Sequence, residues 1–147
     1  MGKVLICTVG LPRSGKSTWA RQQIMRAGMA IVNPDAIRLA IHGKKFEAKA
    51  EGYVWATATT MVRALFLAGH DTVILDATNT TRARRKAWIK PEEWKTFFCE
   101  ITTDKDTCIQ RCPLGDELIP VIEKMAAEYE PLSALDEPRW TGLTRGD

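Results

Sequence analysis

The sequence predicts an α/β domain whose mainly parallel central sheet is flanked by helices. Two observations carry that prediction. Short apolar runs rich in β-branched residues, the mark of strands buried on both faces, alternate along the chain with longer segments of helical spacing. Between the first such strand and the first such helix stands Gly10-Leu11-Pro12-Arg13-Ser14-Gly15-Lys16-Ser17-Thr18, which fits G-x-x-x-x-G-K-[ST]. Ligands of such sheets bind beyond the carboxyl ends of the strands, where this loop falls.

Each element has its own signal. Residues 4–9 form an apolar run that Gly10 ends. Residues 16–27 are helix formers with Trp19, Ala20 and Ile24 spaced for one buried face, and Gly28 stands at the C-cap position. Residues 29–32 make a second short strand, after which Asn33 supplies an N-cap and Pro34 the first position of a helix over 34–42. Residues 43–46 read as a loop. Val54, Ala58, Met61, Val62, Leu65 and Phe66 then set a long helix over 47–68, ended near Gly69. Residues 71–77, centred on Val73-Ile74-Leu75, are the third strand, and a helix over 80–89 follows until Pro91 forbids continuation. Residues 96–102 are a fourth strand. Helices over 104–112 and 118–129 complete the pattern, closed by Pro113 with Gly115 and by Pro131. The tail from Leu132 carries no clear signal.

At 147 residues the chain has the length of a single domain, so one unit is expected to hold the whole site. An apolar share of 45% and a charged share of 27% exclude a disordered or low-complexity chain. The net charge of +3 is too small to indicate nucleic-acid binding by itself, but its distribution is uneven. Arg82, Arg84, Arg85, Lys86, Lys90 and Lys95 cluster in the middle, while acidic residues load the last third. That cluster reads either as a phosphate-facing patch or as solvated helix faces. Cys7, Cys99, Cys108 and Cys112 form no CxxC pair and have no histidine at metal-ligand spacing, which argues for ordinary reduced thiols. The apolar stretch after Met1-Gly2-Lys3 is too short for a signal peptide or a membrane span, so a cytoplasmic protein without membrane attachment is expected.

The loop explains its own composition. Glycines let backbone N–H groups turn inward around phosphate oxygens, and the following helix directs its positive end at the same anion. Lys16 supplies a movable cation for the β- and γ-phosphates of ATP, and the Ser17 hydroxyl is suited to Mg²⁺. A dinucleotide-binding turn does not fit, because Gly10 and Gly15 are too far apart for G-x-G-x-x-G.

A second constellation, Asn33-Pro34-Asp35-Ala36-Ile37-Arg38, bears on what accepts the phosphate. Asp35 and Arg38 share one face of a helix that starts at the end of the second strand. A carboxylate there can take the proton of an attacking hydroxyl, and an arginine beside it can grip an acceptor phosphate; equally, the two make an ordinary surface pair. Asp76 ends the third strand, the position from which an acid holds the metal directly or through water; the alternative is a cap for the next helix.

Three segments, GLPRSGKSTWAR from Gly10, NPDAIR from Asn33 and DATNTTRARRKAW from Asp76, resemble the 5′-kinase domain of bacteriophage polynucleotide kinase. That domain falls within the small P-loop kinases, AAA-like and zeta-toxin-like. The resemblance implies a P-loop NTPase kinase fold with a helical lid, here at about residues 111–118. It implies Asp35 as general base, Arg38 on the acceptor's phosphate, Lys16 and Ser17 on ATP and Mg²⁺, and Arg111 as a lid arginine offsetting transition-state charge. Asp76 joins Ser17 as a metal residue, and Arg38, Thr78, Asn79 and Arg85 are expected to hold the acceptor, a nucleic acid with a 5′-hydroxyl end. Gly115 stands where the phage lid has a second arginine, Asp76 is displaced by one position from the phage acid, and no phosphatase segment is present. Two rivals stay open: a kinase of another hydroxyl, on a hydroxymethylated base, nucleoside or metabolite, and an ATP-binding switch without an acceptor. Assembly into a homo-oligomer is also open.

Overall fold

The computed structural model describes residues 2–141. Its sheet has four parallel strands, β1 (Val4–Val9), β2 (Ala30–Val32), β3 (Thr72–Leu75) and β4 (Lys95–Glu100), in the order β2-β3-β1-β4. Parallel neighbours need crossovers, and these are the helices α1 (Lys16–Ala27), α2 (Pro34–His42), α3 (Glu51–Leu67) and α4 (Arg82–Lys86). Two further helices, α5 (Lys105–Gln110) and α6 (Leu118–Glu128), follow β4.

Side chains alternate across a strand, so β1 feeds two cores. Leu5, Cys7 and Val9 pack with Val73 and Leu75 under α3, which contributes Val54, Ala58, Val62 and Phe66, with Trp88 and Trp94 closing the layer. Ile6 and Ile74 face the other way, onto Trp19 and Ala20 of α1. A third cluster of Leu11, Cys108 and Ile122 fastens α5 and α6 against the loop after β1.

Most expected elements stand where the local signals put them. α2 begins as its sequence requires: Asn33 Oδ1 accepts from the Asp35 and Ala36 amides at 2.8 and 3.3 Å, and Pro34 occupies the first turn. Others differ. The long helix expected over 47–68 starts at Glu51, after a 3₁₀ turn over Ala48–Ala50. The helix expected over 80–89 shrinks to α4, because Thr81 is the residue whose side chain caps it, accepting from the Arg84 amide, while Thr80 lies before the helix and its carbonyl accepts from Glu130 N–H at 2.9 Å. β4 starts one residue early and ends two early: Ile101 still donates to the Val9 carbonyl, but the chain then leaves the sheet. The tail, without a signal in the sequence, forms a parallel bridge from Arg139 to Phe98 and so lies beside β4.

All four cysteines are free thiols, and burial pushes Cys99 up to about 11 and Cys7 higher still, which keeps both protonated and unreactive. Among the described residues no helix is long and apolar enough to cross a membrane.

Candidate active site

The loop joining β1 to α1 is built around close backbone approaches. A Cβ on Gly10 would sit 2.8 Å from Ser14 Oγ and 2.9 Å from the Ile101 carbonyl oxygen, so only glycine fits. Gly15 takes φ +106°, and Arg13 is held at φ 66°, a left-handed conformation unusual for arginine. The Ser14 carbonyl accepts from Thr103 Oγ1 at 2.7 Å, which ties the loop to the end of β4. No acidic residue stands in the first turn of α1 and no side chain caps it, so its N–H groups are left for an anion.

Lys16 lies inside this loop, 8% exposed, with its ammonium donating to the Leu11 carbonyl at 2.6 Å and to Ser14 Oγ at 3.4 Å. Burial lowers its pKa to about 8, with Asp76 foremost among the charges that partly offset this. Beside it opens a cavity of about 730 Å³ lined by Arg13 to Trp19, Gln22 and Arg111. That volume is in the range of small-molecule sites. Leu11 is buried in the α5–α6 cluster and serves the site through its carbonyl; Thr18 is exposed at the cavity.

At the end of β3, Asp76 is 6% exposed, and its Oδ2 accepts from Ser17 Oγ at 2.7 Å and from Asn33 Nδ2 at 3.2 Å. A hydroxyl and a carboxylate in contact beside a phosphate loop fit Mg²⁺, a hard cation that takes few protein ligands and keeps its remaining positions for water and phosphate. Among the described residues no three His, Cys, Asp or Glu side chains converge, so the hydroxyl and the carboxylate would be the protein's contribution.

On α2, the Asp35 carboxylate is 82% exposed and accepts from Arg38 Nη1 at 2.7 Å. The rest of the Arg38 fork is clamped by Glu51 at the start of α3, Nε to Oε2 at 2.9 Å and Nη2 to Oε1 at 2.8 Å. Hydrogen bonds from Arg38, ahead of its charge and that of Arg84, hold the Glu51 carboxyl below the usual range, and the same bonds raise Arg38 further. Asp35 lies close enough to Lys16 to favour its charged form. Across the loop, Arg111 ends α5 and donates from Nη1 to the Arg13 carbonyl at 2.9 Å, while Arg13 itself pairs with Asp116 at 3.5 Å. The segment between α5 and α6 is thus strapped over the phosphate loop.

Residues 5–112 match the family described as AAA domain. The chain belongs to that family. Its fold is that of the P-loop kinases, shared with two structures of the Pnkp1/Rnl/Hen1 RNA repair complex. The first has a TM-score of 0.72 at 22% identity, over 86% of this chain and 44% of that one; the second has 0.69 at 24%, over 98% and 48%. The AAA domain therefore spans about half the length of the repair-complex chains. A sugar kinase from Janibacter sp. HTCC2649 and a gluconokinase from Sinorhizobium meliloti 1021 share the fold at TM-scores of 0.65, with 16% and 14% identity. These two are covered over 84% and 80% of their length by 95% and 94% of this chain.

Within this AAA domain two expected acceptor residues turn inward. Arg85 is fully buried: Nε donates to Glu137 at 2.6 Å, Nη1 to the Asn79 carbonyl at 3.0 Å and Nη2 to the Pro131 carbonyl at 3.3 Å. It is a structural pin for the tail, out of reach of an acceptor. Asn79, 2% exposed and at φ 46°, donates from Nδ2 to the Thr8 carbonyl at 2.9 Å and clasps the end of β1. Thr78 is half-buried and reaches the loop through its carbonyl, which accepts from Gly10 N–H at 2.9 Å. Glu51 and Asn33 were the residues that sequence reasoning did not assign to the site. A glutamate in a first helical turn and an asparagine at an N-cap each have a sufficient local explanation, which hides a second role.

Proposed function

We propose that this AAA domain is a polynucleotide 5′-hydroxyl kinase, transferring the γ-phosphoryl group of ATP to a nucleic-acid end, with residues 1–147 acting as one catalytic unit and 111–118 as its lid. The observation that carries this reading is the Asp35–Arg38–Glu51 chain, which sets a carboxylate and an oriented guanidinium on one helix face beside the phosphate loop. Likeness in fold to a chain of the Pnkp1/Rnl/Hen1 RNA repair complex supports a nucleic-acid acceptor.

In this reading the loop amides and Lys16 hold the ATP phosphates, and Lys16 leaves the Leu11 carbonyl to do so. Ser17 and Asp76 hold Mg²⁺, which when bound offsets phosphate charge. Asp35 takes the proton of the 5′-hydroxyl on the oxygen that Arg38 leaves free; the hydroxyl oxygen bonds to the γ-phosphorus as its bond to the β–γ bridging oxygen breaks, and ADP departs. Arg111 moves from the Arg13 carbonyl to the transferring group.

The nearly full-length match to two sugar kinases favours one second reading, transfer to a small polyol hydroxyl. Incubation with γ-labelled ATP, Mg²⁺ and a single-stranded oligonucleotide, free or blocked at its 5′ end, separates the two when gluconate is run in parallel. Label on the free end alone, lost with Asp35→Asn, is expected; label on gluconate alone would move the assignment to the sugar kinases.

A further inference from the structure

Three arginines lie on the short helix α4, and they do not face the same way. Arg82 pairs with Asp136 at 2.9 Å and Arg85 with Glu137 at 2.6 Å, so the two that are three residues apart both serve the tail. Arg84 goes the other way. Its guanidinium carbon lies 4.8 Å from the centroid of the Trp55 ring on α3, and the Arg38 guanidinium lies over the same ring at 5.7 Å. Trp55 is in turn braced edge-on by Trp88 at 6.2 Å.

The charges around Asp35 give this placement a meaning. All three hydrogen-bonding nitrogens of Arg38 are engaged by the carboxylates of Asp35 and Glu51, so two negative charges face one positive charge there. An acceptor phosphate brought to Arg38 alone would enter a negative surrounding. Arg84 is exposed, acts on Glu51 through its charge, and makes no ion pair or side-chain hydrogen bond among the described residues. Among the described residues its five N–H donors are therefore left for an anion while its charge is held over the indole. Such a cation–π contact restrains the guanidinium and reduces the entropy lost when a phosphate is gripped.

We infer that Arg84, held on Trp55, is a specificity-determining residue that binds the phosphate adjoining the reacting nucleoside, together with Arg38. The inference rests on the polynucleotide reading above and sharpens it: Arg84 supplies a second cation, beside Arg38, for the first internucleotide linkage.

The test uses two oligonucleotides with a 5′-hydroxyl, one with an ordinary first linkage and one with an uncharged methylphosphonate there, against the wild-type protein and Arg84→Met. Methionine keeps an apolar stem over Trp55, and thermal melting confirms that the variant is folded. The expected result is at least a tenfold rise in acceptor KM on removing either charge, with a smaller further rise, the share of Arg38, when both are removed. The Arg84→Met variant should also bind the ordinary oligonucleotide with a salt slope shallower by about one. An equal loss from Arg84→Met on both oligonucleotides, or none, would overturn the role of Arg84 while leaving the kinase reading intact. No label on either oligonucleotide from the wild-type protein would overturn that reading and this inference with it.

Discussion

Lys16 illustrates how a single residue is tuned by where the fold puts it. Buried against a carbonyl, its ammonium has lost water and titrates near pH 8 instead of 10.5. A bound polyphosphate favours the charged form, so binding ATP above this pH takes up a proton. Affinity for ATP should then fall as pH rises from 8 towards 10, approaching about tenfold per pH unit, the limit for one proton. Calorimetry in buffers of different ionisation enthalpy reads the uptake directly, and Lys16→Met should abolish it. Asp35 belongs to the same scale. Its removal as Asp35→Asn should lower phosphoryl transfer by about 10²–10⁴-fold while ATP still binds, measured as kcat with the nucleotide Kd in parallel.

At the scale of elements, the helix α2 couples structure to chemistry through its cap. Asn33 accepts two amide protons at the start of the helix and donates its own N–H to Asp76, so one side chain sets both the helix that carries Asp35 and the carboxylate that meets Ser17. Asn33→Ala should cost about 1 kcal/mol of stability, or about 3 °C in Tm, and Asn33→Ser should regain most of that by restoring the cap acceptor. The phosphate loop, α1 and α2 were legible because loop spacing, capping and helical periodicity are signals spanning a few residues. α4 was read too long for the converse reason. Thr80 and Thr81 are equally good caps in sequence, and the choice between them is made by Glu130, fifty residues on, whose N–H engages the Thr80 carbonyl.

Across the whole molecule, the buried Arg85–Glu137 pair fastens the tail to α4. Breaking it from one side leaves a guanidinium without its counter-charge in a dry site, so Glu137→Ala should cost about 3–5 kcal/mol, read as a lower urea midpoint. The exposed Arg82–Asp136 pair close by should cost under about 1 kcal/mol when broken by Asp136→Ala. Neither glutamate nor arginine announces this role in sequence, since an RARRK run is as consistent with a ligand-binding patch as with a solvated face.

The division follows from the range of the forces concerned. The sequence by itself determined the strand and helix order, the phosphate loop, and the pairing of Asp35 with Arg38, because each depends on neighbours within a turn or two. Which arginine of α4 is buried and which stays exposed, the clamp of Glu51 on Arg38, and the contact of Ser17 with Asp76 were decided by tertiary structure alone. Those depend on burial and on charges brought together from distant segments, and successive residues of a helix face directions about 100° apart, so adjacent arginines can meet opposite surroundings.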